Sequence, residues 1–313
     1  MTAAQIVALG EPMLEFNATE SGSLRDVRRY EVGYGGDTSN FCIAASRLGA
    51  STAYITRVGS DEFGEILLDL WQREGVDTRD VIIEEGGVTG IYFIARSETS
   101  HSFTYYRKGS AASHLTPGDL PLDTIRQAKI FHTSGITQAI SNSACDAAFY
   151  GMEVARKAGA LVSYDPNLRL RLWSLDRARA IVTESIRRAD LVFPSLEDAR
   201  LLTGKDDPDR IAAMLLDLGP QVVALKLGEE GALLATAAGL ERIDPYRLEA
   251  VDTTGAGDTF VGGFLSGLLR GKSYEESARF ANAAAALATR GWGAVNPIPT
   301  RVEVETWLQT QAR

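Results

Sequence analysis

The stretch Val251–Gly263, VDTTGAGDTFVGG, decides how the rest of the chain is read. Gly255-Ala256-Gly257 stands directly before an apolar run with helical spacing, expected from about Asp258 through Leu269. Two glycines let the backbone turn sharply and approach a ligand closely. The first amides of a helix have no intrahelical acceptor, so they face outward as an anion site. Asp258 sits in the first turn, where the helix dipole favours its ionised form. A carboxylate beside an anion hole is suited to take a proton from an attacking hydroxyl. The competing reading is an N-capping aspartate behind a glycine turn.

Outward from this loop the chain alternates short apolar runs with amphipathic stretches. Strands are expected at Ile6–Leu9, Thr52–Thr56, Lys129–Thr133, Leu161–Tyr164, Leu191–Phe193 and Val222–Leu225. Helices are expected at Asp37–Leu48, Glu62–Arg73, Ser143–Lys157, Asp176–Arg187 and Leu196–Leu202. Apolar runs without alternation suit parallel strands buried on both faces. The succession predicts an α/β fold, a doubly wound and mostly parallel sheet flanked by helices. Segments of about 11–33 and 88–112 break the rhythm. Gly90–Ala95 and Ser102–Arg107 read as a hairpin turning at Arg96–Ser100, so the two segments should form one small inserted sheet, a lid. No linker or repeat divides the chain, so 1–313 is taken as one domain carrying that insertion.

Composition limits the alternatives. The 313 residues hold 32 Lys+Arg against 41 Asp+Glu, a net charge of −9. That balance argues against general nucleic-acid binding, which needs a basic face. With 45% apolar and 23% charged residues the chain can bury a large core. No apolar run reaches the length of a membrane span, and the N-terminus has no basic-then-apolar leader pattern, so a reduced, cytoplasmic protein is expected. Cys42 and Cys145 form no CxxC pair and read as small buried hydrophobes, while His101, His114 and His132 lack metal-ligand spacing.

Four segments, in order along nearly the whole chain, resemble the signatures of the ribokinase-like, or phosphofructokinase-B, carbohydrate kinases. They are Gly35-Gly36-Asp37-Thr38-Ser39-Asn40, Asp165-Pro166-Asn167-Leu168-Arg169, Lys226-Leu227-Gly228-Glu229-Glu230-Gly231 and the DTTGAGDTF string. The resemblance implies a ribokinase-like fold with ATP as phosphoryl donor and magnesium bridging its phosphates. Asp258 would be the general base, and the amides of Gly255, Ala256 and Gly257 would hold the transferring phosphate. Asn167, Ser195, Lys226, Gly228, Gly231 and Asn282 would serve the nucleotide; Asn282 could equally cap its own neighbours. The chain lacks a G-x-x-x-x-G-K-[ST] loop, so it is no P-loop enzyme. It also departs from the family's NxxE motif, with Ser195-Leu196-Glu197-Asp198 in its place. Asp198 could still order a water on magnesium; Glu197 competes for that role, and Ser195 could simply cap a helix.

The acceptor is read from Phe103-Thr104-Tyr105-Tyr106-Arg107-Lys108-Gly109-Ser110-Ala111. Alternate strand residues share a face, so Tyr105 and Arg107 point together, with Tyr92 and Ile94 on the partner strand. A guanidinium fork matches a carboxylate, and Arg169 supplies a second one. The YYRKGSA segment and the stretch His132–Thr137 resemble the 2-keto-3-deoxygluconate kinase branch. That resemblance implies an acceptor shell of Gly35, Gly36, Asn40, Tyr92, Tyr105, Arg107, Arg169 and Asp258. The alternative is fructokinase or another neutral-sugar kinase. Ile91, Phe93 and Phe103, read as the opposite face of the small sheet, are expected to pair two copies of the chain, making it a homo-oligomer whose other partners are a small sugar acid and ATP.

Overall fold

The structure is a computed structural model in which residues 3–96 and 101–311 are described. Eight strands form the main sheet. From one edge they are Gly239–Ile243, Ala232–Thr236, Val222–Lys226, Leu191–Val192, Leu161–Asp165, Ile130–Ser134, Ile6–Leu9 and Thr52–Ile55. The strands from Val222–Lys226 to Thr52–Ile55 run parallel, and the hairpin at the far edge is antiparallel. The sequence-based fold class and each expected strand and helix are present, with ends moved by a residue or two.

The first strand shows why its apolar run does not alternate. Ile6 and Ala8 enter one hydrophobic core, with Phe41, Trp71 and Phe264. Val7 and Leu9 enter the other, with Phe131, Met152 and Val162. Side chains alternate between faces, and both faces are covered by helices, so every position must be apolar. Asp37–Arg47 and Ala256–Leu269 cover one face; Asn142–Lys157 and Leu175–Arg188 cover the other.

Ile6–Leu9 lies between Ile130–Ser134 and Thr52–Ile55, so the chain winds away from it in both directions. Such a reversal opens a crevice beyond the carboxyl ends of the strands, where ligands bind in open α/β sheets. Glu11, Ser134, Asp165, Ser195 and Lys226 all stand at or just past those ends.

The two irregular segments do combine into one small sheet, in the order Tyr30–Gly35, Met13–Ser21, Ile91–Arg96, His101–Tyr106. The expected hairpin is present, but its first strand runs through Arg96, and residues 97–100 of the expected turn lie outside the described residues. One face was misassigned from sequence. Tyr92 pairs with Tyr105 and Ile94 with Phe103, so Phe103 lies on the Tyr92 face, its ring stacked 6.4 Å from that of Tyr105. The opposite face carries Ile91 and Phe93, with Phe93 against Phe16 at 5.0 Å, Tyr30 at 5.4 Å and Tyr106 at 6.0 Å.

Candidate active site

The crevice is a single cleft of about 2100 Å³ between the strand ends, the start of helix Ala256–Leu269 and the Tyr92 face of the small sheet. One small ligand typically occupies roughly 300–1,000 Å³, so the cleft has room for two. Gly36, Asn40, Tyr92, Tyr105, Arg107, Asn167, Arg169, Ser195, Asp198, Lys226, Gly228, Gly231, Asn282 and the loop Gly255–Asp258 all line it. Gly35 lies beneath, where a Cβ would strike the Tyr92 hydroxyl at 2.4 Å. The residues singled out from sequence therefore converge.

At one end, Gly255 adopts the left-handed conformation with φ 76°. A Cβ there would lie 2.6 Å from the Ala294 carbonyl, so glycine is required twice over. The helix starts at Ala256, two residues earlier than expected, with Gly255 as its N-cap. The Ala256 amide donates to the Thr253 carbonyl at 3.2 Å. Of the expected donors Ala256 is thereby corrected, its amide being taken by the turn, while Gly257 keeps its place and the Asp258 amide, also without an intrahelical acceptor, joins it. Gly257 is not at a positive φ; its Cα faces the Lys226 ammonium, 3.4 Å from where a Cβ would stand.

Asp258 accepts a hydrogen bond from Asn40 Nδ2 at 2.9 Å, which ties the last signature to the first. Its pKa is pushed up to about 7, by burial first and by the Asp37 charge next, with Asp165 adding; the Asn40 bond and Lys226 pull the other way. Asp37 is itself raised by burial, with Asp165 adding, and it accepts from Asn167 Nδ2 at 2.8 Å. Asn167 holds the chain's one positive φ outside glycine among the described residues, 32°. Lys226 Nζ is paired with Asp165 at 2.5 Å. Three carboxylates thus crowd a single ammonium, and Asp258 is the one left poised to exchange a proton near neutrality.

Ser195 caps helix Leu196–Thr203, its Oγ accepting from the Asp198 amide at 3.1 Å. Asp198 accepts from the Leu168 amide, and burial followed by the nearby Asp165 charge raises its pKa. Gly231, at φ 88°, could not carry a Cβ without meeting the Ile243 carbonyl at 2.2 Å, whereas Gly228 faces open space. Asn282 donates to the carbonyls of Ile243 at 3.4 Å and Asp244 at 3.1 Å, so its amide nitrogen braces the cleft wall.

At the other end, Tyr92 and Tyr105 stack at 5.4 Å, and the Arg107 guanidinium lies 5.7 Å above the Tyr105 ring. Arg107 follows the strand rather than belonging to it, yet reaches the same side. Its partner was not foreseen: Nη2 bonds Glu11, a carboxylate with no exposed surface that also accepts from Ser110 Oγ at 3.1 Å. Burial raises the Glu11 pKa, against the opposing pull of Arg107 and Ser110. Arg169 is exposed on the cleft wall and donates to the Leu168 carbonyl at 2.8 Å. Arg171, also not anticipated, bridges the rim to the Phe103 carbonyl at 3.1 Å. A charged residue just past the end of a buried strand was the available signal for Glu11, and Asp37 lay inside a quoted motif without a role.

A carboxylate poised near neutrality, outward helix amides and a lysine at one end, with stacked tyrosines and guanidinium groups at the other, define a group-transfer site with donor and acceptor ends. The family model of the pfkB family carbohydrate kinases matches residues 3–301. The chain belongs to that family and is a sugar kinase. Particular relatives divide over the sugar. The chain is 37% identical to "Probable fructokinase-4" of Arabidopsis thaliana, over 97% of this chain and 96% of that one. It is 36% identical to the 2-dehydro-3-deoxygluconokinase of Bacillus subtilis, over 97% and 95%. Among solved structures it is similar to a fructokinase from Xylella fastidiosa with bound ATP, at TM-score 0.89 and 25% identity, covering 99% of this chain and all of that one. Among the described residues no helix is long and apolar enough to cross a membrane.

Proposed function

We propose that the chain transfers the γ-phosphoryl group of ATP to the 6-hydroxyl of 2-keto-3-deoxygluconate. The observation that carries the reading is that two guanidinium groups, Arg107 and Arg169, line the acceptor end of one cleft. A neutral hydroxyl accepts only an ordinary hydrogen bond from such a group, whereas a carboxylate accepts from a guanidinium in a stronger planar, charge-assisted pair. Asp258 takes the hydroxyl proton as the oxygen attacks phosphorus in line and the bond to ADP breaks. The Gly257 and Asp258 amides and Lys226 stabilise the charge on the transferring group. ATP, the nucleotide bound to the Xylella relative, would be held along Lys226–Gly231, with Asn282 behind it, both of which line the cleft. Among the described residues no three acidic or histidine groups are arranged to hold a bare metal ion. The Asp198 carboxylate, facing the cleft beside Asp165, suits a hydrated magnesium ion, which keeps its waters. Such an ion would neutralise phosphate charge.

Segments 11–33 and 88–112 act as a lid on a single domain, and the Phe16, Phe93 and Tyr106 face pairs two chains. Light scattering tests the pairing: a monomer at micromolar concentration would remove it. The competing acceptor is fructose, favoured by the plant relatives and by Glu11, which cancels the charge of Arg107. Coupled ADP-release assays on both acceptors decide. A higher kcat/KM for the keto-acid supports the proposal, and a higher value for fructose overturns it.

A further inference from the structure

The acceptor end contains a charge that the proposed chemistry does not use. Glu11 stands two residues beyond the first strand, fully buried, with one carboxylate oxygen on Arg107 and the other on Ser110. Arg107 is itself mostly covered, with 10% of its side chain exposed, and its Nε is buried without a partner among the described residues. Half of the guanidinium fork is therefore occupied from within the protein, and its charge is cancelled at close range. Arg169 differs: no ion pair of Arg169 is found among the described residues, and its recorded bond goes to a neutral carbonyl. The two arginines flanking the acceptor are thus unequal: Arg107 is bonded directly to a buried carboxylate, whereas Arg169 meets the charges of Asp37 and Asp198 only at longer range.

We infer that Glu11 is a specificity-determining residue: as the buried counter-ion of Arg107 it sets how far the pocket prefers an acidic acceptor over a neutral one. The inference rests on the proposed role of Arg107 at the acceptor end, although not on which acceptor the wild-type enzyme prefers. Glu11 does not touch the acceptor. It acts by fixing where the guanidinium sits and by subtracting a positive charge from the pocket. A kinase with the pair intact retains some tolerance for neutral sugars, because Glu11 offsets part of the positive charge that would otherwise face the carboxylate of an acid. The location also explains why the pair is buried. Glu11 stands just past the first strand of the main sheet and Arg107 just past the last strand of the small sheet, so the bond closes the acceptor wall where the two sheets meet.

The test compares kcat/KM for 2-keto-3-deoxygluconate with that for fructose in the full-length enzyme. Where one acceptor is turned over too slowly, its inhibition constant against the other replaces its KM. Glu11→Gln keeps the size and the hydrogen-bonding shape but removes the charge. It should raise the acid-to-neutral ratio at least about fivefold. A role in folding alone would lower both values alike and leave the ratio unmoved, which would overturn the inference. Glu11→Gln made in an Arg107→Ala background should lose the shift; a shift of the same size there would mean that Glu11 does not act through Arg107. If Glu11→Gln does not fold, Glu11→Asp replaces it: the charge stays buried but is drawn back by one methylene from Arg107, so the acid-to-neutral ratio should still rise, by at least about twofold. An unmoved ratio rejects the inference. A wild-type preference for fructose would overturn only the acceptor proposed above, since the Glu11 effect is read from the change in ratio.

Discussion

The two ends of the cleft are built in different ways. The phosphoryl end rests on backbone: a left-handed glycine, two outward amides and a helix start, all within Gly255–Asp258. Its side chains, Asn40, Lys226 and Asp258, come from secondary elements locked into the main sheet and the helices on it. The acceptor end rests on side chains of the small sheet, whose Tyr105 and Phe103 are exposed and whose Arg107 depends on a distant carboxylate. The contrast teaches where such a kinase can change. Backbone donors cannot be altered by ordinary substitution, so the transfer chemistry is fixed by the fold. Acceptor choice depends on a few replaceable side chains.

The contrast breaks most sharply at Asp258. Asp258→Asn should lower kcat by at least about a hundredfold on either acceptor, the usual scale of general-base loss. ATP binding, measured by calorimetry, should persist. A kcat within threefold of wild type would leave Asp258 as a helix-start residue only.

Gly257→Val tests the backbone half by crowding. A Cβ would stand 3.4 Å from Lys226 Nζ, and the branched methyls would press on the ammonium. Turnover should fall about tenfold or more, with KM for ATP rising, as transition-state contacts and phosphate binding are lost together. Unchanged ATP kinetics would mean that this loop does not approach phosphate.

The same contrast explains what could be read from sequence. The main sheet was legible because burial on both faces forces continuous apolar strands such as Val222–Leu225. The phosphoryl end was legible because its donors are consecutive in the chain. The acceptor end was not. Glu11 and Arg107 are 96 positions apart, and no local pattern announces their bond. The face of Phe103 was missed for a simpler reason: it is two residues from Tyr105, so strand parity puts both on one side, as their stacked rings show. The start of helix Ala256–Leu269 moved because a turn bond from Ala256 to Thr253 precedes the helical ladder.

Arg107→Ala sharpens the acceptor half. It removes a guanidinium from the acceptor end and leaves Glu11 unpaired in a buried position. The kcat/KM for the keto-acid should fall at least about tenfold, in keeping with the loss of one charge-assisted bond. Activity on fructose should fall much less. Equal losses on both acceptors would indicate that Arg107 serves only structure.

The smallest effect expected is a shift along the pH axis, and it links the two ends through charge. Asp258 must be ionised to accept a proton. Burial and the Asp37 charge disfavour that form, raising its pKa to about 7. The sign follows: activity is full above that value and is lost as pH falls through it, so kcat/KM should drop about tenfold per unit on the acid side. Asp165 adds to the raising influence, while Asn40 and Lys226 oppose it. Asp37→Asn removes the largest charge contribution while keeping an oxygen that can accept from Asn167 Nδ2, as Asp37 does at 2.8 Å. The acid limb should therefore move to lower pH, by about half a unit or more, with the plateau changed little. A profile on both acceptors distinguishes a shift in the base from a change in sugar binding, because only the former moves both limbs together. A limb that stays in place, or moves upward, would show that the Asp37 charge does not tune Asp258.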